Sequence, residues 1–166
     1  MDLNGTLRNM SLQFRIFVIC FVVLLNVGFF TGFNFVRVTT SLNASGIEQN
    51  YLGNEEDEDA DIMHFKKSEQ EVLTLVHNHI LSLSLIFFVL GTLLYMTDTN
   101  SRIKSFLMFE PFLSLILTFG GIYLLWLGVL WFKYIIMISG SFMVLSILIM
   151  SFLIIKDCLS SSKTAA

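Results

Sequence analysis

Four long apolar runs restrict what this chain can fold into more than any other feature of its sequence. They cover about residues 16–36, 77–96, 103–126 and 133–155. A run of about 18 or more apolar residues is long enough to cross the hydrocarbon core as a helix. Membrane-spanning strands would alternate polar and apolar residues instead, and these runs do not. The sequence therefore predicts an all-α polytopic membrane protein, a four-transmembrane-helix bundle forming a single membrane domain over residues 1–166.

The composition agrees with this fold class and narrows the function. Hydrophobic residues make up 55% of the chain and charged residues 14%, whereas a soluble domain carries about 25% charged residues. No basic cluster with interleaved aromatic residues is present, so nucleic acid is not an expected partner. The sequence also lacks a nucleotide-binding loop, a catalytic triad and a zinc-protease motif. An enzymatic active site is therefore not indicated.

The first apolar run has two interpretations. Arg8 and Arg15 precede it, and a cleavable signal peptide also begins with a basic segment. However, the run is about twice as long as a typical signal-peptide core of roughly 7–15 residues, and no cleavage site with small residues follows it. We therefore interpret it as an uncleaved membrane span.

The polar segment between the first and second spans, residues 37–68, contains a dense acidic run ending at Asp61. Such a run is typical of a solvated loop. Ser68 and Glu71 then match a capping box directly before apolar residues. This pattern predicts that the second helix runs from about Glu69 to Met96 and begins before the membrane does.

The start of the third span is ambiguous. The span begins either near Ile103 or at Pro111, because proline is tolerated best in the first turn of a helix. Glu110 is the only acidic residue within an apolar run. It could relay protons or bind a cation from the cytoplasmic side. The alternative, which we expect, is that it caps a helix started by Pro111 and lies among the headgroups.

Basic residues predict the orientation of the bundle. They precede the first span, separate the second from the third, and follow the fourth: Arg8, Arg15, Arg102, Lys104, Lys156 and Lys163. Lysine and arginine accumulate on the cytoplasmic side. We therefore expect both termini in the cytoplasm and the acidic loop on the outside. Interfacial aromatic residues cluster at the outer hairpin between the last two spans, as Tyr123, Trp126, Trp131 and Tyr134.

The three histidines, His64, His77 and His79, lie close together in the sequence near the outer end of the second helix. His77 and His79 point about 200° apart on a helix, so one metal ion cannot easily bind both. We expect His77 to face the bundle interior. There it could be an axial ligand of a haem b group, with His64 or His79 as the second ligand.

A divalent metal is the other ligand that these residues suggest. His64 and His79 would bind it together with carboxylates of the acidic loop, Glu55, Asp59 or Asp61. The alternative to both ligands is that the histidines are partly hydrated residues at the membrane boundary, which hydrogen-bond to their surroundings and specify packing. We expect this structural role over a bound cofactor. We also expect Lys133 to extend toward the headgroups rather than pair with the acidic loop.

Residues 46–55, with the segment Tyr51-Leu-Gly-Asn54-Glu55, are followed by Phe65-Lys-Lys-Ser68 and by His77-Asn-His79. In these features the chain resembles uncharacterised bacterial four-span membrane proteins, which have a Tyr-x-Gly-Asn-Glu segment and a His-x-His at the start of the second span. The resemblance covers about residues 46–95. It implies a location in a bacterial inner membrane and draws attention to Tyr51, Asn54 and Glu55.

Three functions fit the sequence. The first, which we expect, is an accessory or structural subunit of a larger inner-membrane complex, with the lipid bilayer and other membrane subunits or further copies of the chain as partners. The second is a haem- or metal-binding module for electron transfer or sensing. The third is a transporter or channel component, which would require an oligomer because no pair of broken helices is evident.

Overall fold

The computed structural model describes residues 5–55 and 63–160 of the chain. After a short 3₁₀ turn at Leu7–Asn9, the helices are α1 (Leu12–Thr40), α2 (Ala44–Leu52), α3 (Glu69–Tyr95), α4 (Ser101–Leu115), α5 (Gly121–Trp126) and α6 (Phe132–Leu159). A π-helical segment, Ile116–Gly120, joins α4 to α5 without a break. The described ranges contain no β-strand.

Four of these helical segments are long and apolar enough to cross a membrane. They are α1, α3, the continuous stretch Ser101–Trp126, and α6. The predicted all-α, four-span fold is therefore confirmed. Below, the hairpin end of the bundle is the end with α2 and the turn at residues 127–131. The terminal end is the opposite one, with residues 5–11, 96–100 and 156–160.

Helix α6 occupies the centre of the bundle, because it packs against α1, α3, α4 and α5 as well as the short α2. Its buried face repeats at helical spacing and is mainly apolar: Ile136, Met143, Ile147, Met150 and Ile154. Three serines, Ser139, Ser146 and Ser151, lie on the same face. Small hydroxyl side chains allow helices in lipid to approach closely and to hydrogen-bond across their interface.

The segment predicted to be a solvated loop contains a helix. Helix α1 continues to Thr40, and Ser41 and Leu42 then turn the chain with φ values of 51° and 52°. The Asn43 side chain caps α2 by accepting a hydrogen bond from the Gly46 N–H at 2.7 Å. Helix α2 then folds back against α1, α5 and α6. It was missed because nine residues of modest hydrophobicity give no clear periodic signal.

The third spanning segment begins well before Pro111. Asn100 caps α4 by accepting a hydrogen bond from the Arg102 N–H at 2.9 Å, and the helix starts at Ser101. Pro111 is therefore an interior helix residue, and it is fully buried. Because proline has no N–H, the carbonyl oxygen of Leu107 lacks its usual donor one turn later. The alternative of a helix starting at Pro111 is wrong.

Candidate functional site

The Tyr51–Glu55 segment holds the residues that precede α3. The Asn54 N–H donates to the His64 carbonyl oxygen at 2.9 Å, and the Asn54 side chain accepts from the His64 N–H at 2.6 Å. The Lys67 N–H donates to the Tyr51 carbonyl oxygen at 3.2 Å, and Glu55 accepts from the Lys66 N–H at 3.2 Å. These four bonds fix residues 64–67 against the end of α2.

Gly53 makes this arrangement possible. Its φ is +82° and its ψ 177°, a conformation that side-chain-bearing residues essentially do not adopt. A Cβ atom at this position would lie 2.7 Å from the Lys66 nitrogen and 2.8 Å from the His64 oxygen. The Tyr-x-Gly-Asn-Glu pattern therefore has a local structural role, because it fixes the chain that leads into α3.

Two aromatic residues anchor this end of the bundle. Tyr51 is buried, and burial raises the pKa of its phenol to about 12. The Trp126 indole N–H donates to the Lys67 carbonyl oxygen at 2.7 Å, and the Lys66 ammonium lies 5.1 Å from the Trp126 ring centroid. The start of α3 is therefore level with Trp126, a residue type that concentrates at membrane interfaces.

The capping box predicted for α3 is confirmed. The Ser68 hydroxyl accepts a hydrogen bond from the Glu71 N–H at 3.3 Å, and the Glu71 carboxylate accepts one from the Ser68 N–H at 2.8 Å. The helix then runs without interruption through His77 and His79. The two rings therefore point about 200° apart, as the helical spacing requires.

His79 contacts the third spanning segment. Its ring stacks on Phe119, with 4.6 Å between ring centroids, and its Nδ1 lies 2.8 Å from the Leu75 carbonyl oxygen. Phe119 precedes Trp126 by seven residues, which corresponds to about 10 Å along a helix. Both helical histidines therefore lie within the helix Glu69–Tyr95, in the half nearer the hairpin end.

His77 does not face the bundle interior, and that prediction is wrong. Its side chain is exposed, together with its neighbour Asn78, whereas Gly91 on the predicted His77 face is buried. Among the described residues, neither His77 nor Asn78 has a side-chain hydrogen-bond partner. Ser82 and Ser84, which follow on the same helix, by contrast donate to carbonyl oxygens of α3 itself. His77 and Asn78 therefore present free polar groups on the outer surface of α3.

The predicted metal ligands are only partly described. Asp59 and Asp61 lie outside the described residues, and His64 is half-buried. Within residues 5–55 and 63–160, no three His, Cys, Asp or Glu side chains are close enough together to hold a metal ion. The metal and haem hypotheses, which depend on His64, His77 and His79, stay predictions.

Glu110 does not cap a helix, contrary to the expected role. It lies inside α4, and its carboxylate accepts hydrogen bonds from two hydroxyls, Ser114 of the same helix and Ser146 of α6. Both serines are buried. The four-residue spacing from Glu110 to Ser114 is visible in the sequence, whereas only the packing of α6 identifies Ser146.

Lys133 is also paired, so the expectation that it only extends toward the headgroups is wrong. Its ammonium lies 2.5 Å from the Glu48 carboxylate on α2. This ion pair joins the start of α6 to the helix that the sequence did not predict. It contributes charge complementarity at the hairpin end, where the polar segment folds back.

A second polar cluster, not predicted from the sequence, closes the terminal end. Arg8 forms ion pairs with Asp98 and with Asp157, the latter at 3.4 Å. The Asp98 N–H also donates to Asp157 at 3.2 Å, while Arg15 donates to the Cys158 carbonyl oxygen at 3.0 Å. Leu7 is fully buried beneath these groups. The two termini and the turn between α3 and α4 are thus joined.

The two cysteines have no disulfide partner. Cys20 is exposed on α1 and Cys158 is buried near the end of α6. Neither contributes to a cluster of metal-binding side chains in the part of the chain that the structure describes.

Comparison with known proteins gives one match. No curated protein matches the chain, and no solved structure matches it. A family model described as a transmembrane helical domain matches residues 41–165. The match begins at the end of α1 and includes α2, all of α3 to α6 and the polar segment between them. Because it covers most of the chain, the protein belongs to this family of membrane proteins with a transmembrane helical domain.

Proposed function

We propose that the protein is an accessory or structural subunit of a larger complex in a bacterial inner membrane, and that the exposed face of α3 binds a transmembrane helix of a partner subunit. The observation that carries this proposal is the pair His77 and Asn78. Both side chains are exposed and have no hydrogen-bond partner among the described residues. Both lie inside a segment long and apolar enough to span a membrane.

Lipid is a poor environment for such groups. Lipid tails offer no hydrogen bonds, and ionisable residues within spans almost always face protein or a water-filled cavity. On the same face, Thr74 precedes the pair and Leu81 and Leu85 follow it, and all three are exposed. A partner helix with a polar group at the matching depth would satisfy His77 and Asn78 and cover the apolar residues.

Interhelical hydrogen bonds of this kind are modest but specific. Each contributes about 0.6–2 kcal/mol in a membrane. Two such bonds, together with packing of the apolar residues, orient one subunit against another without a large buried area. Most of the α1 and α3 side chains are exposed in the isolated chain. A subunit that packs beside other helices is consistent with this exposure.

The test is crosslinking in native membranes, with a photoreactive amino acid at position 78. We expect a crosslink to one defined membrane protein, and we expect the complex seen on native gels to weaken in His77→Leu and Asn78→Leu. Ser141→Ala is the matched control, because Ser141 is exposed on α6 but donates to the Met137 carbonyl oxygen of its own helix. Crosslinks to lipid alone, with native-gel mobility unchanged in both leucine variants, would contradict the proposal.

A further inference from the structure

Glu110 is an acidic side chain placed inside the apolar layer. It follows Ser101 by nine residues and precedes Trp126 by sixteen, which corresponds to about 14 Å and about 24 Å along a helix. Glu110 therefore lies within the spanning helix, more than two turns from its first residue. Its side chain is half-buried, and it lies beside the fully buried Pro111.

Among the described residues, no positive side chain is paired with this carboxylate. The ion pairs of the described residues join Arg8 to Asp98 and Asp157, and Lys133 to Glu48. Within residues 5–55 and 63–160, no Lys, Arg or His side chain lies within ion-pair distance of Glu110. An isolated carboxylate in an apolar environment is strongly unfavourable, so either a proton or a bound cation must neutralise Glu110.

The surroundings of Glu110 supply oxygen ligands. The hydroxyls of Ser114 and Ser146 contact its two carboxylate oxygens, one each. The carbonyl oxygen of Leu107 lacks a helical donor because Pro111 has no N–H. Leu107, Pro111 and Ser114 are all buried on one face of α4. Carboxylate, hydroxyl and carbonyl oxygens are the ligands that hard cations prefer.

We propose that Glu110 is the charged ligand of an intramembrane site for one monovalent alkali cation. Ser114, Ser146 and the Leu107 carbonyl oxygen complete the set of oxygen ligands. A monovalent ion neutralises the single carboxylate, whereas a divalent ion would leave a net positive charge in the apolar layer. The bound ion also joins α4 to α6, the two helices that contribute the ligands. This proposal is independent of the partner surface on α3.

The first test is thermal unfolding of the purified full-length protein in NaCl, KCl, LiCl or choline chloride at equal ionic strength. We expect at least one alkali cation to raise the Tm in a saturating manner. The expected rise is about 5–10 °C at a concentration about 100 times the Kd. Choline is too large for the site and serves as the reference salt.

Variants identify the site. Glu110→Gln keeps an oxygen that accepts from the serines but removes the charge, and we expect it to lose the cation response. Ser146→Ala keeps the charge, and we expect it to require about tenfold more cation. Glu69→Gln, at an exposed carboxyl in the first turn of α3, is the matched control and retains the full response. A wild-type Tm that is equal in all four salts, or an undiminished response in Glu110→Gln, would overturn the proposal.

A second measurement distinguishes neutralisation of Glu110 by a bound cation from neutralisation by a proton. A hydrophobic carbodiimide adds to a protonated carboxyl within the membrane, and mass spectrometry locates the adduct. We expect labelling at Glu110 in choline chloride and protection by the cation that raises the Tm. Labelling that no alkali cation reduces would show that a proton alone neutralises Glu110, and the cation site would be rejected.

Discussion

At the hairpin end of the bundle, single residues hold the backbone segment that leads into α3 in place. Tyr51 is buried at the end of α2, and its carbonyl oxygen accepts from the Lys67 N–H at 3.2 Å. The Tyr51 side chain therefore packs in the apolar core, while its backbone carbonyl holds the segment that leads into α3. The tyrosine was singled out from the sequence only through a resemblance, whereas the structure gives a physical reason for it.

Tyr51 makes the stability of the fold depend on pH in the alkaline range. Burial raises the pKa of its phenol from 10.0 to about 12. Below pH 10 the phenol is neutral in both folded and unfolded chains, so its contribution is fully present. Between pH 10 and 12 only the unfolded chain ionises, and stability falls by at most about 3 kcal/mol.

Denaturant unfolding of the wild type and of Tyr51→Phe, from pH 8 to 12, measures this effect. We expect the wild type to lose stability relative to Tyr51→Phe as the pH rises above 10. Groups other than Tyr51 titrate in both proteins, so the difference between the two curves isolates the phenol. Parallel curves over the whole range would show that Tyr51 is accessible to water.

At the level of elements, the packing of α2 depends on Gly53 immediately after it. We expect Gly53→Ala to destabilise the protein by about 2–4 kcal/mol, because the substitution adds backbone strain and a Cβ clash with residues 64–66. Hydrogen exchange should increase at residues 64–67, whose amides lose their partners. Thermal unfolding measures the loss of stability, and hydrogen exchange followed by mass spectrometry measures the loss of protection at residues 64–67.

Gly28→Ala is the matched control for this substitution. Gly28 lies in α1, and a Cβ atom there would meet nothing within 4 Å. Alanine has the higher helix propensity, so we expect no loss of stability and a gain of up to about 1 kcal/mol. Equal unfolding of the two alanine variants would mean that the Gly53 conformation does not hold the start of α3.

The spanning helices and the start of α3 could be predicted because their signals are local. A long apolar run and a capping box are both read from consecutive residues. Helix α2 and the ion pair between Glu48 and Lys133 could not, since they depend on a short segment finding a surface made by distant helices. The start of the third span was left open between Ile103 and Pro111 for a related reason. Its helix starts after an asparagine cap eleven residues before Pro111, which the apolar pattern does not reveal.

In the candidate sites, too, local features could be predicted and long-range contacts could not. Glu110 was identified as an acidic residue in an apolar run, but one of its two hydrogen-bond donors, Ser146, lies on α6, thirty-six residues away in the chain. His77 and His79 were identified by type and spacing. Their directions depended on which face of α3 packs against α4, α5 and α6, and the choice of an inward His77 was wrong. The side to which a helix turns is a property of the whole bundle.

For the whole molecule, the terminal end brings together charged groups from three separate segments of the chain. Arg8, Asp98 and Asp157 form one cluster, and it joins the start of the chain, the turn between α3 and α4, and the end of α6. These segments therefore share one side of the membrane. Since basic residues flank the spans at this end, the positive-inside rule predicts that this side is the cytoplasm. Helix α2 and the start of α3 then lie outside.

Single cysteines test this orientation in a background with Cys20 and Cys158 replaced by alanine. Ser101→Cys reports on the terminal end and Glu69→Cys on the hairpin end. Both positions are exposed, and neither substitution removes a basic residue. In spheroplasts, a membrane-impermeant maleimide should label Glu69→Cys at once and Ser101→Cys only after permeabilisation. The opposite labelling pattern would show that the predicted orientation is inverted. His77 and Asn78 would then contact their partner helix in the cytoplasmic half of the bilayer. The depth of these two side chains relative to Trp126 would be unchanged, because it is set by the packing of α3 against Phe119 rather than by the orientation of the bundle.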